Sequence, residues 1–356
     1  MKIAILGMAQ SGKKTLFTLI ARKKLSENEL ASGAAVEGIT EIIDPRFERL
    51  VEMYNPESEA RARINVTLLP KIDKGFSSKS DFINELDTYD AFLVVIRAFK
   101  NDSVYHPSGS VDAERDLEEI EMELTFNDLS FVDKRIQRLS NERGAKTPQT
   151  EKEKEILPKL KEHLEKELPL RTLSLLPEEL KLISSYPLVT FKELIIAFNI
   201  SEDELNNTEL IKKCETKYKD RKINFMVVSA KLEAEIAAIE NKEEREEFLK
   251  SMGITEPVID VIRRACLVAM DLISFFGVGT DEVKQWLVKR ASLAPKAAGA
   301  IHSDLEKGFI RAEVMKYAEL IAAGSESKLK ETGKYYLKGK DYVVEDGDIL
   351  SILHSG

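Results

Sequence analysis

The first residues of this chain whose types and spacing could do chemistry lie between Gly7 and Thr15. Gly7 and Gly12 are five positions apart, and Lys13 follows the second glycine. In a loop of this pattern the backbone N–H groups surround phosphate oxygens, and the lysine contacts the β- and γ-phosphates. The usual next residue is Ser or Thr, whose hydroxyl binds Mg²⁺, but here it is Lys14. The pattern therefore predicts a phosphate loop that lacks its metal-binding hydroxyl.

The residues around the motif favour this interpretation over an ordinary strand-to-helix turn. The apolar run Ile3–Leu6 precedes the motif directly, and residues 16–24 are typical of a helix. A buried strand before the loop and a helix after it are the setting that a phosphate loop requires. We expect the phosphate contacts to come from Gly7, Gln10, Ser11, Gly12, Lys13, Lys14 and Thr15.

Composition limits the class of protein. The 356 residues suffice for two or three domains, and a net charge of −9 argues against a protein that coats nucleic acid by bulk charge. Two cysteines, Cys214 and Cys266, form no disulfide framework, which indicates a reducing compartment. No apolar run reaches the roughly 20 residues of a membrane span. We expect a cytoplasmic monomer without membrane contact, and the scattered histidines give little support to a histidine-based metal site.

Four further apolar runs predict a mainly parallel sheet, and polar residues follow two of them. The runs are Ile64–Leu69, Ala91–Ile96, Leu194–Phe198 and Phe225–Val228. Asn199 and Glu202 follow the third run, and Ser229 and Ala230 follow the last. Ligands of open α/β sheets lie beyond the carboxyl ends of the strands, which is where these residues would be. The alternative for Asn199 and Glu202 is a turn with a helix cap.

The composition of the chain changes near residue 112, and Glu and Lys are frequent from there to residue 169. Both halves of this stretch carry an apolar stripe with helical spacing, and Gly144–Pro148 separates them. We predict an inserted helical hairpin resembling a coiled coil. Its charges are typical of a solvated helix surface, with a dedicated binding face as the alternative. The stripe residues are Leu129, Val132, Ile136, Leu139, Ile156, Leu160 and Leu164.

Over essentially its whole length the chain resembles the Obg-like ATPases of the YchF type. The resemblance rests on the order of parts: the phosphate loop, Asp44-Pro45-Arg46, the helical insertion and Asn199-x-x-Glu202. It is most specific in the C-terminal stretches Ala297–Glu313 and Gly339–Asp348. The resemblance implies an α/β fold with three parts. These are a phosphate-loop NTPase (G) domain of residues 1–111 and 170–276, a helical hairpin of residues 112–169, and a ubiquitin-like α+β TGS domain of residues 277–356.

The resemblance also implies ligands, partners and site residues. Gly7, Gly12, Lys13 and Thr15 match the family's phosphate loop, and Asn199 and Glu202 match its base-reading loop, which is associated with ATP. We expect Ser229 and Ala230 to complete the base site. The implied cofactor is ATP, or GTP as the alternative, and the implied partner is the ribosome or RNA-associated machinery.

Three departures weaken the case for catalysis. Lys14 replaces the Mg²⁺-binding hydroxyl, and in an alignment on Lys74-Gly75 the switch Asp and Gly are replaced by Leu68 and Lys71. Phosphoryl transfer needs charge neutralisation that Mg²⁺ largely supplies, so we expect no bound metal and assign no catalytic residue. Thr40 is the sole candidate for the threonine of the first switch.

Three functions therefore stay open from the sequence. The first is a translation-associated nucleotide-binding protein with weak or lost hydrolysis, in which Lys14 replaces the charge of the metal. The second is a nucleotide-independent scaffold that acts through its TGS and helical domains. The third is a slow ATPase switch.

A cluster of lysines in the TGS region could form a cationic surface. Residues 326–340 contain five lysines against two acidic residues, in a chain that is acidic as a whole. The alternative is a helix face that merely keeps the protein soluble. The lysines are Lys328, Lys330, Lys334, Lys338 and Lys340.

Overall fold

The computed structural model describes residues 1–78, 80–141, 148–205 and 208–355. These residues form two compact units. The first unit comprises the described residues of Met1–Gly38 and Asn65–Ile259, and the second comprises Ile39–Ile64 and the described residues from Asp260 onward. Among the described residues, no helix has the length and apolar character needed to cross a membrane.

The elements follow in chain order. The strands are β1 Lys2–Leu6, β2 Val36–Glu41, β3 Ser58–Ala60, β4 Arg63–Leu68, β5 Ala91–Arg97, β6 Glu193–Asn199, β7 Ile223–Val228, β8 Leu272–Gly277, β9 Glu282–Lys289, β10 Phe309–Lys316, β11 Tyr336–Lys338 and β12 Asp348–His354. The α-helices are α1 Lys13–Ala21, α2 Glu27–Ser32, α3 Pro45–Tyr54, α4 Ser80–Asp87, α5 Ala113–Asn141, α6 Pro148–Glu165, α7 Pro177–Ile183, α8 Glu209–Lys217, α9 Ala230–Ala238, α10 Lys242–Ser251, α11 Val258–Ala269, α12 Ala294–Ile301, α13 Ser303–Lys307, α14 Tyr317–Ala323 and α15 Glu326–Glu331. Short 3-10 helices cover Phe76–Ser78, Leu170–Thr172, Val189–Phe191, Glu202–Glu204 and Lys219–Arg221.

The first sheet has the strand order β2-β4-β1-β5-β6-β7. Strand β1 pairs in parallel with β4 and β5, and the parallel pairing continues from β5 through β6 to β7. Every residue of β5 is buried, as expected for a central strand covered on both faces. The predicted α/β class with a mainly parallel sheet is confirmed.

The predicted helical hairpin is present as α5 and α6, which pack against each other. Of the predicted stripe, Val132, Leu139, Ile156, Leu160 and Leu164 lie in a shared buried core. Most of the predicted separator, Gly144–Thr147, lies outside the described residues. The helical periodicity in the sequence thus identified the seam between the two helices.

The second unit contains a mixed sheet of order β11-β10-β12-β8-β9-β3. Helix α12 packs on one side of this sheet through Ala294, Ala297 and Ala298. On a separate core, Phe47 and Leu50 of α3 pack among buried residues of the C-terminal strands. The α+β character of this unit agrees with the predicted C-terminal fold.

Two boundaries differ from those that the sequence predicts. The sequence predicts that residues 39–64 belong to the nucleotide-binding domain, whereas the structure places them in the second unit because β3 pairs in parallel with β9. The C-terminal strands of this sheet also begin before residue 277, with β8. The helix predicted over residues 16–24 is α1, which ends at Ala21 because Arg22 adopts a left-handed conformation with φ 48°.

Candidate phosphate-binding site

The predicted phosphate loop connects β1 to α1 and turns through left-handed backbone. Gln10 has φ 61° and Gly12 has φ 93°, and α1 begins immediately afterwards at Lys13. A Cβ atom at Gly12 would collide with the side-chain amide of Asn199. Glycine is therefore required at this position both by conformation and by space.

Asn199, the last residue of β6, ties the loop to the next strand end. Its buried side chain donates from Nδ2 to the carbonyl of Ser11 (3.0 Å), and its Oδ1 accepts from the backbone N–H of Ala230 (3.0 Å). Ser229 precedes Ala230 and caps α9 by accepting from the N–H of Leu232 at 3.4 Å. The structure thus brings together three of the strand ends that the sequence singled out.

Lys13 is buried and donates to backbone. Its Nζ lies 2.8 Å from the carbonyl oxygen of Leu69 and 2.6 Å from that of Pro70. Burial and, to a smaller extent, the nearby charge of Lys14 lower the pKa of Lys13 to about 7, while Asp73 acts in the opposite direction. The loop cation is held by the segment that follows β4.

The residues at the usual metal-ligand positions do not fit Mg²⁺. Lys14 donates from Nζ to the carbonyl of Leu30 at 3.1 Å, and Leu68 is a buried apolar residue of β4. Lys71 is exposed and lies 3.5 Å from the carboxylate of Asp73. Hard cations such as Mg²⁺ need oxygen ligands, and neither the ammonium group of Lys14 nor the side chain of Leu68 offers one.

Three further residues that the sequence singled out are Glu202, Thr15 and Thr40. Glu202 begins a short 3-10 helix and forms an ion pair with Lys231, with Nζ 2.8 Å from Oε1. Thr15 is exposed in the first turn of α1. Thr40, the candidate of the first switch, is buried in β2, where its hydroxyl accepts from Nε of Arg263 at 2.9 Å.

The sequence missed a buried polar pair beside the loop. His106 Nε2 lies 3.0 Å from a carboxylate oxygen of Asp116, and its Nδ1 accepts from the N–H of Ser108, so the proton lies on Nε2. His106 and Asp116 line a small cavity together with Ser11, whose buried Oγ has no hydrogen-bond partner among the described residues. One histidine of four in a loop gave no sequence signal for this arrangement.

The C-terminal lysines are only partly free. Lys330 lies 4.0 Å from Glu326, and Lys334 lies 3.5 Å from Glu319. Lys338 lies over the rings of Tyr336 and Tyr342. The predicted cationic surface is therefore smaller than the count of lysines suggested.

The chain is similar to known proteins over nearly its full length, and a family model matches its C-terminal part. The family model YchF-GTPase_C, described as a protein of unknown function (DUF933), matches residues 272–354. A ribosome-binding ATPase YchF of Bacillus subtilis is 37% identical over 356 residues, covering 97% of each chain. An Obg-like ATPase 1 of Caenorhabditis elegans is 34% identical, covering 98% of this chain and 91% of that protein. The solved structure of the Schizosaccharomyces pombe YchF GTPase has a TM-score of 0.84 and 30% identity, covering 99% of this chain and 97% of that chain.

Proposed function

We propose that this chain, which belongs to the YchF group of the Obg-like ATPases, binds ATP through its phosphate loop and works in ribosome-associated translation. GTP is the second candidate nucleotide, and hydrolysis is weak or lost. The single observation that supports nucleotide binding most is the pair of hydrogen bonds that the Asn199 side chain makes, one with Ser11 and one with Ala230. They hold the phosphate loop beside the ends of β6 and β7, where we expect the base.

The phosphate loop would hold the nucleotide by its backbone and by Lys13. The N–H groups of the first turn of α1 face the loop and favour negative charge. Lys13 would exchange the carbonyls of Leu69 and Pro70 for phosphate oxygens. Since phosphates stabilise an ammonium group far better than carbonyls do, nucleotide binding would raise the pKa of Lys13.

Lys14 supplies a second positive charge without a metal. An ammonium group neutralises phosphate charge but cannot bridge the β- and γ-oxygens in an octahedral frame. Mg²⁺ would normally neutralise the charge that develops in phosphoryl transfer. We therefore expect nucleotide binding that needs no Mg²⁺ and a turnover much slower than that of a metal-dependent NTPase.

The ribosome is proposed as the partner because of the names of the relatives and because of two domains of this chain. Relatives of similar length are named ribosome-binding ATPases. The hairpin of residues 112–169 and the TGS domain of residues 277–356 are the parts that we expect to contact ribosomal RNA or protein, in the cytoplasm and as a monomer. A scaffold that never binds nucleotide is the competing function, and Lys14, Leu68 and Lys71 are the residues that favour it.

Calorimetric titration with ATP, GTP and ADP tests the proposal. We expect ATP to bind at least as tightly as GTP, because Asn199 and Glu202 match the base-reading loop of the family. A preference for GTP of about tenfold or more, equal to about 1.4 kcal/mol, would contradict this reading of the base. The absence of binding by all three nucleotides would favour the scaffold.

A matched pair of glycine variants shows whether binding occurs at this loop. Gly12→Ala places a methyl group against Asn199 and should abolish binding. Gly33→Ala carries a similar positive-φ cost, with φ 60°, but its Cβ would meet no atom within 4 Å. Binding that survives in Gly12→Ala would place the nucleotide elsewhere.

A further inference from the structure

The segment that follows β4 lies along the phosphate loop. The N–H of Leu69 donates to the carbonyl of Ile5 (3.1 Å), and the N–H of Ile72 donates to that of Gly7 (3.2 Å). Lys13 holds the carbonyls of Leu69 and Pro70. We call residues 69–77 the loop-flanking segment. Its first half is fixed by the residues that would have to receive a nucleotide.

The second half of the loop-flanking segment is held by one carboxylate of α5. Glu123 accepts from the backbone N–H of Gly75 at 2.9 Å and from that of Ser77 at 3.2 Å, and it also accepts from the Ser77 hydroxyl. One turn earlier on the same helix, Glu119 lies 3.4 Å from Lys74. A charged acceptor makes stronger hydrogen bonds than a neutral one, so this attachment is firm.

Helix α5 is shared by two hydrophobic cores of the first unit. In its first half, Leu117, Ile120 and Leu124 belong to the core beneath the parallel sheet. In its second half, Val132 and Leu139 belong to the core that joins α5 to α6. Glu123 lies beside Leu124, at the end of the first set of core residues. A shift at Glu123 therefore acts on a continuous 29-residue helix, which is the first helix of the hairpin.

We propose that Glu123 is a positioning residue that couples nucleotide binding at the phosphate loop to the helical hairpin. The proposal rests on the proposed function, because a nucleotide must draw Lys13 away from the carbonyls of Leu69 and Pro70. That exchange releases the first half of the loop-flanking segment while Glu123 keeps the second half attached to α5. The loop-flanking segment is attached to the phosphate loop at one end and to Glu123 of α5 at the other. A displacement of the segment is therefore transmitted to α5.

Hydrogen exchange with and without saturating ATP tests the coupling in the full chain. In the wild type we expect ATP to change exchange rates both in residues 69–77 and in residues 117–132. In Glu123→Ala the nucleotide-free amides of Gly75 and Ser77 should exchange about tenfold faster or more, because they lose a charged acceptor. ATP should still change residues 69–77 of this variant, but residues 117–132 should no longer respond.

Two further variants keep the test decisive. Glu123→Gln preserves the shape of the side chain and removes its charge, so it replaces Glu123→Ala if that variant does not fold. In Glu123→Gln the response of α5 to ATP should be at least about threefold weaker than in the wild type. Glu118→Gln is the matched control, since Glu118 is an exposed residue of the same helix that pairs with Lys217, and it should behave as the wild type.

The outcomes separate the coupling from the proposed function. If calorimetry shows no ATP binding by the wild type, both proposals are overturned. If ATP binds but α5 does not respond in the wild type, or responds equally in the wild type and in the Glu123 variants, the coupling alone is overturned. A loss of the α5 response confined to the Glu123 variants supports it.

Discussion

At the scale of single residues, the lowered pKa of Lys13 makes the stability of the fold depend on pH. Burial lowers its pKa from an ordinary 10.5 to about 7. The unfolded chain therefore binds more protons than the folded chain between about pH 7 and 10.5, so the contribution of this group to stability rises with pH across that window. The fold tolerates a poorly solvated cation at the place where phosphate would bind.

The same pKa predicts a pH-dependent affinity. Bound phosphate favours the protonated lysine, so the contribution of Lys13 to ATP affinity should be constant well below pH 7 and should weaken by up to about tenfold per pH unit above it. Calorimetry in buffers of different ionisation enthalpy should show proton uptake at pH 8 and little at pH 6. Lys13→Met, which cannot titrate, should lose both effects along with much of the affinity. An affinity of the wild type that stays constant from pH 6 to pH 9 would contradict this role of Lys13.

At the scale of elements, the Asp44-Pro45-Arg46 motif has a structural explanation. Arg46 donates to both carboxylate oxygens of Asp44 and to both of Asp346, and its guanidinium lies 5.6 Å from the ring centre of Phe276. Asp346 also accepts from the N–H of Ser274 at 3.0 Å. The motif thus joins the start of α3 to the C-terminal strands of the second unit.

Arg46→Lys should destabilise the second unit. A lysine cannot donate to two carboxylates with paired geometry, and we expect a loss of about 1–3 kcal/mol in the free energy of unfolding. Trp286, the single tryptophan of the sequence, lies in β9 of this unit and reports its unfolding in urea by fluorescence. The control is Arg49→Lys, since Arg49 is exposed on α3 and its pair with Glu52 should contribute less than about 0.5 kcal/mol. Equal losses in the two variants would contradict the account.

The elements show which parts of this structure could be predicted from the sequence. Strands β5 and β6 and the hairpin seam were evident because their burial gives continuous apolar runs or a helical period. The position of residues 39–64 was not, because β3 pairs with β9, more than 200 residues away in the chain. At the candidate site, the position of Asn199 at the end of β6 was predicted from its place after an apolar run. The carbonyl partners of Lys13 could not be predicted, because every residue has a backbone carbonyl. The role of Glu123 could not be predicted either, because it is one Glu among many in an acidic helix.

At the scale of the whole molecule, a net charge of −9 makes any contact with ribosomal RNA depend on a local surface. The described lysines that keep no carboxylate partner in the 326–340 stretch are Lys328, Lys338 and Lys340. If these residues neutralise phosphates, binding should weaken steeply as salt increases.

Co-sedimentation with ribosomes tests this surface. Changing Lys328, Lys338 and Lys340 together to Glu should lower binding about tenfold or more at moderate salt, since each lost phosphate contact weakens binding further. Lys307→Glu, a single exposed lysine elsewhere in the same unit, is the control and should bind like the wild type. Equal sedimentation of the triple variant and the wild type would exclude this surface as the docking element and favour the helical hairpin.

The central claim is that this phosphate loop binds nucleotide with lysine charge in place of a metal, and one titration tests it most directly. ATP affinity is measured by calorimetry in EDTA and again in excess Mg²⁺, for the wild type and for Lys14→Ser. The account predicts wild-type affinities that agree within about threefold and a larger dependence on Mg²⁺ in Lys14→Ser, which restores the hydroxyl. A loss of about tenfold or more when the wild type is transferred to EDTA, equal to about 1.4 kcal/mol, would show that Mg²⁺ is bound and would contradict the account.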